Sequence, residues 1–98
     1  MALVTIVTRD VADRFRGFLA SVMLEVAPCT YVSPNMSPGV RERIWAVLSD
    51  WHAANASGSV VMIWRDRDAT GGVGLAHLGT PPKTLVEVDG MWITRASS

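Results

Sequence analysis

The chain has 98 residues, a formal net charge of zero and a mean hydropathy of +0.25. A chain of this length forms one domain. Its zero net charge gives no overall attraction to nucleic acid or to a membrane surface. Any binding of anions must therefore come from local groups among its nine basic residues. The single cysteine, Cys29, excludes an internal disulfide and a zinc site built from cysteines. With no signal-peptide pattern and no apolar run long enough to cross a bilayer, we expect a cytoplasmic protein without a membrane partner.

The first stretch of the chain, residues 3–17, predicts a strand that passes directly into a helix. Its strand residues are apolar with only threonines between them, which is typical of a strand buried on both faces at the centre of a sheet. Apolar side chains then recur at three- and four-residue spacing from Val11 to Met23 and predict a helix over about 11–24. Asp10 is the predicted N-cap of this helix. Functional sites tend to form at such strand-to-helix junctions, and we expect one here.

The middle of the chain predicts further strands around a second helix. Pro28 and Pro34 restrict the segment between the helices to one or two short strands or to a sheet edge. Ser37 followed by Pro38 is a strong helix start, since a capping side chain precedes a proline at the first helical position. The apolar run 60–64 predicts a second central strand, and residues 73–78 predict a half-exposed strand that returns against it.

The last segment predicts a hairpin. Asp89 and Gly90 stand between two apolar-rich arms, and a two-residue Asp-Gly loop is among the strongest short signals for a hairpin. A break at Pro81 and Pro82 separates this hairpin, over about 84–94, from the preceding strand. Trp92 could anchor a protein interface or pack on its own sheet.

Together these elements predict one α+β domain over residues 1–98. The order of strands and helices favours a ferredoxin-like split βαβ sandwich, with both helices on one face of the sheet and an extra C-terminal strand pair. The other sheet face is rich in apolar side chains and needs a cover, so we expect a homodimer.

Several segments resemble CRISPR-associated protein 2, in its type I-E branch. They occur in the order found in that family and cover about residues 3–94: VTRDVADRFRGFLA, MLEVAPCTYVS, RERIW, SVVMIW and VEVDG. The resemblance implies a ferredoxin-like homodimer that bridges two dimers of the adaptation integrase, CRISPR-associated protein 1. It also implies that this dimer holds the foreign double-stranded DNA during spacer acquisition and docks on the integrase through its C-terminal strands.

The resemblance implies site residues only where the sequences match. Arg14 and Arg16, in the pattern RxRG, match a basic pair that grips the DNA backbone in type I-E relatives. Lys83 stands where relatives carry paired basic residues before the last strands. Gly39 replaces a basic residue at the start of the second helix. For docking on the integrase, the candidates are Val86, Val88 and Trp92.

The wider family implies an alternative activity, cleavage of RNA or DNA by a magnesium-dependent endonuclease. Its acidic residue lies at the end of the first strand, where this chain has Arg9 and then Asp10. Asp10 is therefore the candidate catalytic and magnesium-binding residue. Arg9 argues against cleavage, because a guanidinium competes with a divalent cation, and a helix cap is the simpler interpretation of Asp10. Arg14 and Arg16 could likewise be ordinary surface charges, and a ferredoxin-like dimer that binds a small regulatory ligand is the third possible function.

Overall fold

The computed structural model describes residues 2–79 and 83–96. Seven strands and two α-helices follow one another, with a short 3₁₀ turn at Thr70–Gly72. Their bounds in chain order are β1 (Ala2–Arg9), α1 (Asp13–Val22), β2 (Leu24–Ala27), β3 (Thr30–Met36), α2 (Pro38–Ala54), β4 (Ser59–Arg65), β5 (Val73–Leu78), β6 (Lys83–Val88) and β7 (Met91–Ala96).

The first five strands form one antiparallel sheet in the order β2-β3-β1-β4-β5, and β6 and β7 form a separate two-stranded sheet. The first four strands and the two helices have the connectivity of a split βαβ unit, and β5 extends the sheet beyond β4. This α+β architecture, with a mostly antiparallel sheet and two helices, is compatible with a ferredoxin-like fold. As predicted, β1 and β4 are both internal strands.

The helices cover one face of the sheet. Val4 and Ile6 of β1 are buried in one core with Phe15 and Leu19 of α1. Ile44 and Leu48 of α2 are buried in the same core. The opposite side, called the open face below, carries Leu3 and Val7 of β1 and Ile63 of β4, which are 53%, 40% and 37% exposed. The prediction that β1 is buried on both faces is therefore not met among the residues that the structure describes, because Leu3 and Val7 stay exposed on this side.

The second helix begins as its sequence predicts. Ser37 is the N-cap, and its hydroxyl accepts a hydrogen bond from the Val40 backbone N–H at 3.3 Å. Pro38 occupies the first helical position, where a missing N–H costs nothing. Local chemistry alone therefore fixes where α2 starts.

Two strands lie between the helices, as predicted, but β3 is internal rather than at an edge. It tolerates Pro34 because the β1–β3 register shifts between the pairs Ala2–Met36 and Val4–Ser33. The neighbouring β2 pairs with β3 only as far as Val32. The proline thus falls where the hydrogen-bond ladder is already incomplete, which removes the usual conflict between proline and a central strand.

Asp89 and Gly90 form the predicted two-residue hairpin loop between β6 and β7. Both have positive φ, 50° and 76° respectively, as a loop of this kind requires. Val88 and Met91 are paired directly across it. No helix among the described residues has the length and apolar character needed to cross a bilayer.

Candidate functional site

Backbone contacts between three segments shape the junction at the end of β1. Gly58, just before β4, has φ +74°, and a Cβ at this residue would overlap the carbonyl oxygens of Arg9 and Asp10. Gly79, just after β5, has φ +81°, and a Cβ there would overlap the Gly58 carbonyl oxygen. Asp10 itself has φ +56°, a left-handed conformation that turns the chain from the strand towards the helix. Close contacts between the backbones of these three segments therefore form the junction.

Asp10 is not the N-cap of α1, contrary to the sequence-based interpretation. The N-cap is Ala12, which supplies no side-chain hydrogen bond, and the helix starts at Asp13 rather than at Val11. The left-handed turn at Asp10 separates its side chain from the helix start, and Val11 and Ala12 pack against the core instead. The Asp10 side chain is 85% exposed and lies 3.8 Å from Nε of Arg9. An exposed pair of this kind contributes little to stability.

The described surroundings of Asp10 in this chain do not fit a magnesium ion. Magnesium is usually held by one or two carboxylates together with water, and a neighbouring guanidinium repels it. Here the carboxylate is accompanied by Arg9. Among the residues that the structure describes, no three His, Cys, Asp or Glu side chains are grouped so that they could hold a metal ion. Asp10 as a catalytic or metal-binding residue stays a hypothesis from the family resemblance.

Arg14 lies between the two helices. Its Nη2 donates a hydrogen bond to the Trp51 carbonyl oxygen at 3.4 Å, and its Cζ lies 5.0 Å from the centroid of the Trp51 ring. The ring is fixed in turn by edge-to-face contacts with Phe15 and Phe18, each 5.5 Å between centroids. A guanidinium over an indole face is attracted to the ring electrons. Arg14 is thus an exposed cation whose direction is set by the C-terminal end of α2.

Arg16 lies on the other flank of α1. Its Nη1 is 3.6 Å from Oδ1 of Asp13, and its side chain is 54% exposed. The nearby Tyr31 is buried in the core, and this burial raises the pKa of its hydroxyl, an effect that the Glu25 carboxylate reinforces and a hydrogen bond with Arg16 opposes. The two arginines therefore sit on opposite flanks of α1, as the helical periodicity predicts, with different neighbours.

The sequence did not predict the contact between Arg14 and Trp51. The two residues are 37 positions apart, and no local spacing could have indicated their contact. Lys83 is the first residue of β6, but its side chain lies outside what the structure describes, as does that of Val86.

The hairpin has two chemically different faces. Glu87 and Trp92 are paired across the strands and form the inner face, which contacts the rest of the chain. The Glu87 carboxylate accepts a hydrogen bond from the Thr70 hydroxyl at 2.6 Å, and Nε1 of Trp92 donates one to the Val73 carbonyl oxygen at 3.3 Å. The outer face carries the exposed residues Val88, Met91 and Ile93.

These contacts distinguish the three candidate docking residues, Val86, Val88 and Trp92, from one another. Trp92 is engaged with its own chain, whereas Val88 is on the outer face, and Val86 occupies the register position opposite Ile93. Among the side chains described, Val88, Met91 and Ile93 form the exposed apolar surface of the outer face, while Trp92 is 37% exposed on the inner face.

The comparison with known families agrees with this architecture. Residues 3–93 match the family described as CRISPR-associated protein (Cas_Cas2CT1978). The matched segment begins in β1 and ends in β7, so that it takes in the sheet, both helices and most of the hairpin. Because the match spans nearly the whole chain, this protein belongs to the CRISPR-associated protein (Cas_Cas2CT1978) family.

Proposed function

We propose that this protein is a structural subunit of CRISPR adaptation, of the type I-E branch, which bridges integrase dimers and holds a foreign DNA duplex. Membership of the CRISPR-associated family supports a role in a CRISPR system. The observation that carries the proposal is the placement of Arg14 and Arg16 on the two flanks of α1, near its start. In a two-fold dimer this arrangement supplies two pairs of arginines on a protein whose net charge is zero.

Such a surface recognises the DNA backbone rather than the bases. Guanidinium groups suit phosphate because their planar fork donates two parallel hydrogen bonds. Contacts to phosphate position a duplex without reading its sequence. The proposed subunit therefore holds duplexes of different sequence equally well.

The first prediction is that Arg14→Ala and Arg16→Ala each weaken DNA binding by the complex of this protein with the integrase. Each phosphate contact changes the slope of log affinity against log salt by about 0.9, so losing one arginine per protomer flattens the slope by roughly 1.8 in a dimer. The combined variant should lose most spacer capture. DNA affinity of the complex at several salt concentrations measures both effects, with duplexes of two unrelated sequences.

Arg43→Ala provides the matched control, because Arg43 is an exposed arginine of α2 whose Nε donates to the Gly39 carbonyl oxygen at 3.4 Å. It should leave the slope unchanged. An unchanged slope in the Arg14→Ala/Arg16→Ala variant as well would show that these arginines are ordinary surface charges and would refute the DNA-holding role.

We further propose that the protein is a homodimer across the open face. Three large apolar side chains, Leu3, Val7 and Ile63, are exposed there on adjacent strands. Contiguous apolar surface on a small protein favours association, and a two-fold axis buries the same patch on both copies.

The second prediction is that Val7→Asp yields a monomer at micromolar concentration. A carboxylate at this residue would be buried twice in a two-fold interface, once from each copy, with no cation provided to pair it. Sedimentation measures the result, and the control is Val40→Asp, which places the same charge on an exposed valine of the helical layer. A Val7→Asp protein that sediments as the wild type does would place the dimer contact elsewhere.

The outer face of the hairpin is the surface we propose for docking on the integrase. Its exposed apolar residues alternate along the strands, and a β-ribbon of this kind can add to a sheet edge of a partner, where backbone hydrogen bonds give affinity and alternate side chains give specificity. The inner face, held by Thr70 and Val73, positions the hairpin for that contact.

A further inference from the structure

A second group of arginines surrounds a cleft at the end of the sheet opposite to Asp10. Arg41 comes from α2, Arg65 ends β4 and Arg67 follows in the loop towards β5. The β1–β4 register places this end of β4 beside the start of β1, whereas Asp10 follows the end of β1. The cleft has a volume of about 850 Å³, and we call it the arginine cleft.

The arginine cleft carries an excess of positive charge. Asp66 and Asp68 are the two carboxylates that line it with the three arginines. Asp66 is turned back on its own loop, where Oδ1 accepts a hydrogen bond from the Asp68 backbone N–H at 3.0 Å. Among the side chains that the structure describes, neither carboxylate forms an ion pair with Arg41, Arg65 or Arg67. Among the residues that the structure describes, the donors of these three guanidinium groups thus have no fixed anionic partner.

Arg41 is fixed in place on the wall of the cleft. Its Cζ lies 4.3 Å from the centroid of the Trp64 ring, and the side chain is partly buried. The ring lies directly against Gly74 of β5, where a Cβ would overlap its atoms. The indole nitrogen of Trp64 is buried and has no hydrogen-bond partner. A packed ring therefore orients one arginine, while Arg65 and Arg67 are exposed and free to close on a ligand.

We infer that the arginine cleft binds phosphate groups. Three guanidinium groups around one cavity provide forked donors for several phosphate oxygens, and no carboxylate of the cleft neutralises them by direct pairing. The phosphates can come from a nucleic-acid backbone or from a free nucleotide or polyphosphate, since all present the same oxygen atoms. This inference goes beyond the role of Arg14 and Arg16 and needs neither the integrase nor the dimer.

The test compares the wild-type protein with the variant Arg65→Gln/Arg67→Gln, which removes both charges and keeps a polar, hydrogen-bonding side chain at each residue. Titration calorimetry with sodium tripolyphosphate and with a short DNA duplex supplies the two probes. We expect tripolyphosphate to bind at least about tenfold more weakly to the variant, because each lost charged hydrogen bond contributes more than a factor of ten. Arg43→Gln is the matched control, and melting temperatures verify folding.

The two probes distinguish the sources of phosphate. Weaker binding of both probes identifies a nucleic-acid backbone as a ligand, and weaker binding of tripolyphosphate alone identifies a free nucleotide or polyphosphate. Equal binding of both probes by Arg65→Gln/Arg67→Gln and by Arg43→Gln would overturn the inference. Because Arg14 and Arg16 are intact in these variants, that result would leave the DNA-holding proposal standing.

Discussion

Replacing Gly58 by alanine should lower the free energy of unfolding by about 2–6 kcal/mol, as the sum of two terms. Left-handed backbone at a residue with a Cβ costs about 1–3 kcal/mol. Forcing extra volume into a packed site costs about another 1–3 kcal/mol. At Gly58 the obstacle is the backbone of Arg9 and Asp10, which cannot rotate away as a side chain could. Denaturant unfolding of purified protein measures the change.

Gly17→Ala is the matched control for this substitution. Gly17 lies inside α1, and a Cβ there would meet no atom within 4 Å. Alanine at this residue should raise the free energy of unfolding by about 0.5–1 kcal/mol, because glycine loses more backbone entropy than alanine when a helix forms. If Gly58→Ala were as mild as Gly17→Ala, the close contact between β4 and the end of β1 would not exist in solution.

Charging the outer face of the hairpin should detach the integrase. We expect Met91→Asp and Ile93→Asp each to weaken the complex about 30-fold, because the central apolar anchors of an interface contribute about 2 kcal/mol or more apiece. Both side chains are exposed in the chain itself, Met91 at 60% and Ile93 at 40%, so that neither substitution removes core packing. Co-purification and surface-immobilised binding measure the loss.

Two comparisons make this prediction specific. Val40→Asp adds the same charge to α2 and should retain the integrase. Trp92→Phe removes the hydrogen bond to Val73 but leaves the outer face unchanged, and it should weaken the complex far less than Met91→Asp does. If Trp92→Phe were instead the most damaging change, the docking surface would be the inner face of the hairpin.

Local chemistry made parts of this structure predictable from the sequence. Ser37 with Pro38 fixes the start of α2, and Asp89 with Gly90 fixes the hairpin loop, because each pair acts on its own backbone. Apolar periodicity was sufficient to order the strands and helices of a split βαβ sheet. Helical periodicity was sufficient to place Arg14 and Arg16 on opposite flanks of one helix.

What the sequence could not supply depends on contacts between distant residues. Asp10 was expected to cap α1, but the left-handed turn that moves it away is packed against Gly58, which belongs to another part of the chain. The Asp-Gly loop predicted the hairpin, yet only the contacts with Thr70 and Val73 decide which of its faces turns inward. Arg65 and Arg67 share a cleft with Arg41 that exists only after β4 and α2 have come together, so no local sequence pattern could have indicated it.

The Trp51 indole that holds Arg14 also changes how much conformational entropy the Arg14 side chain would lose on binding a phosphate. A free arginine gives up rotamer freedom worth as much as about 1.5–2 kcal/mol when it is immobilised on a phosphate. Arg14 has given up part of that freedom already, through the Trp51 ring and carbonyl oxygen. Arg16, whose ion pair with Asp13 at 3.6 Å is exposed, keeps more of it. Two arginines of the same helix are thus unequal in conformational entropy, and in the proposed DNA-holding role Arg14 would lose less of it on binding.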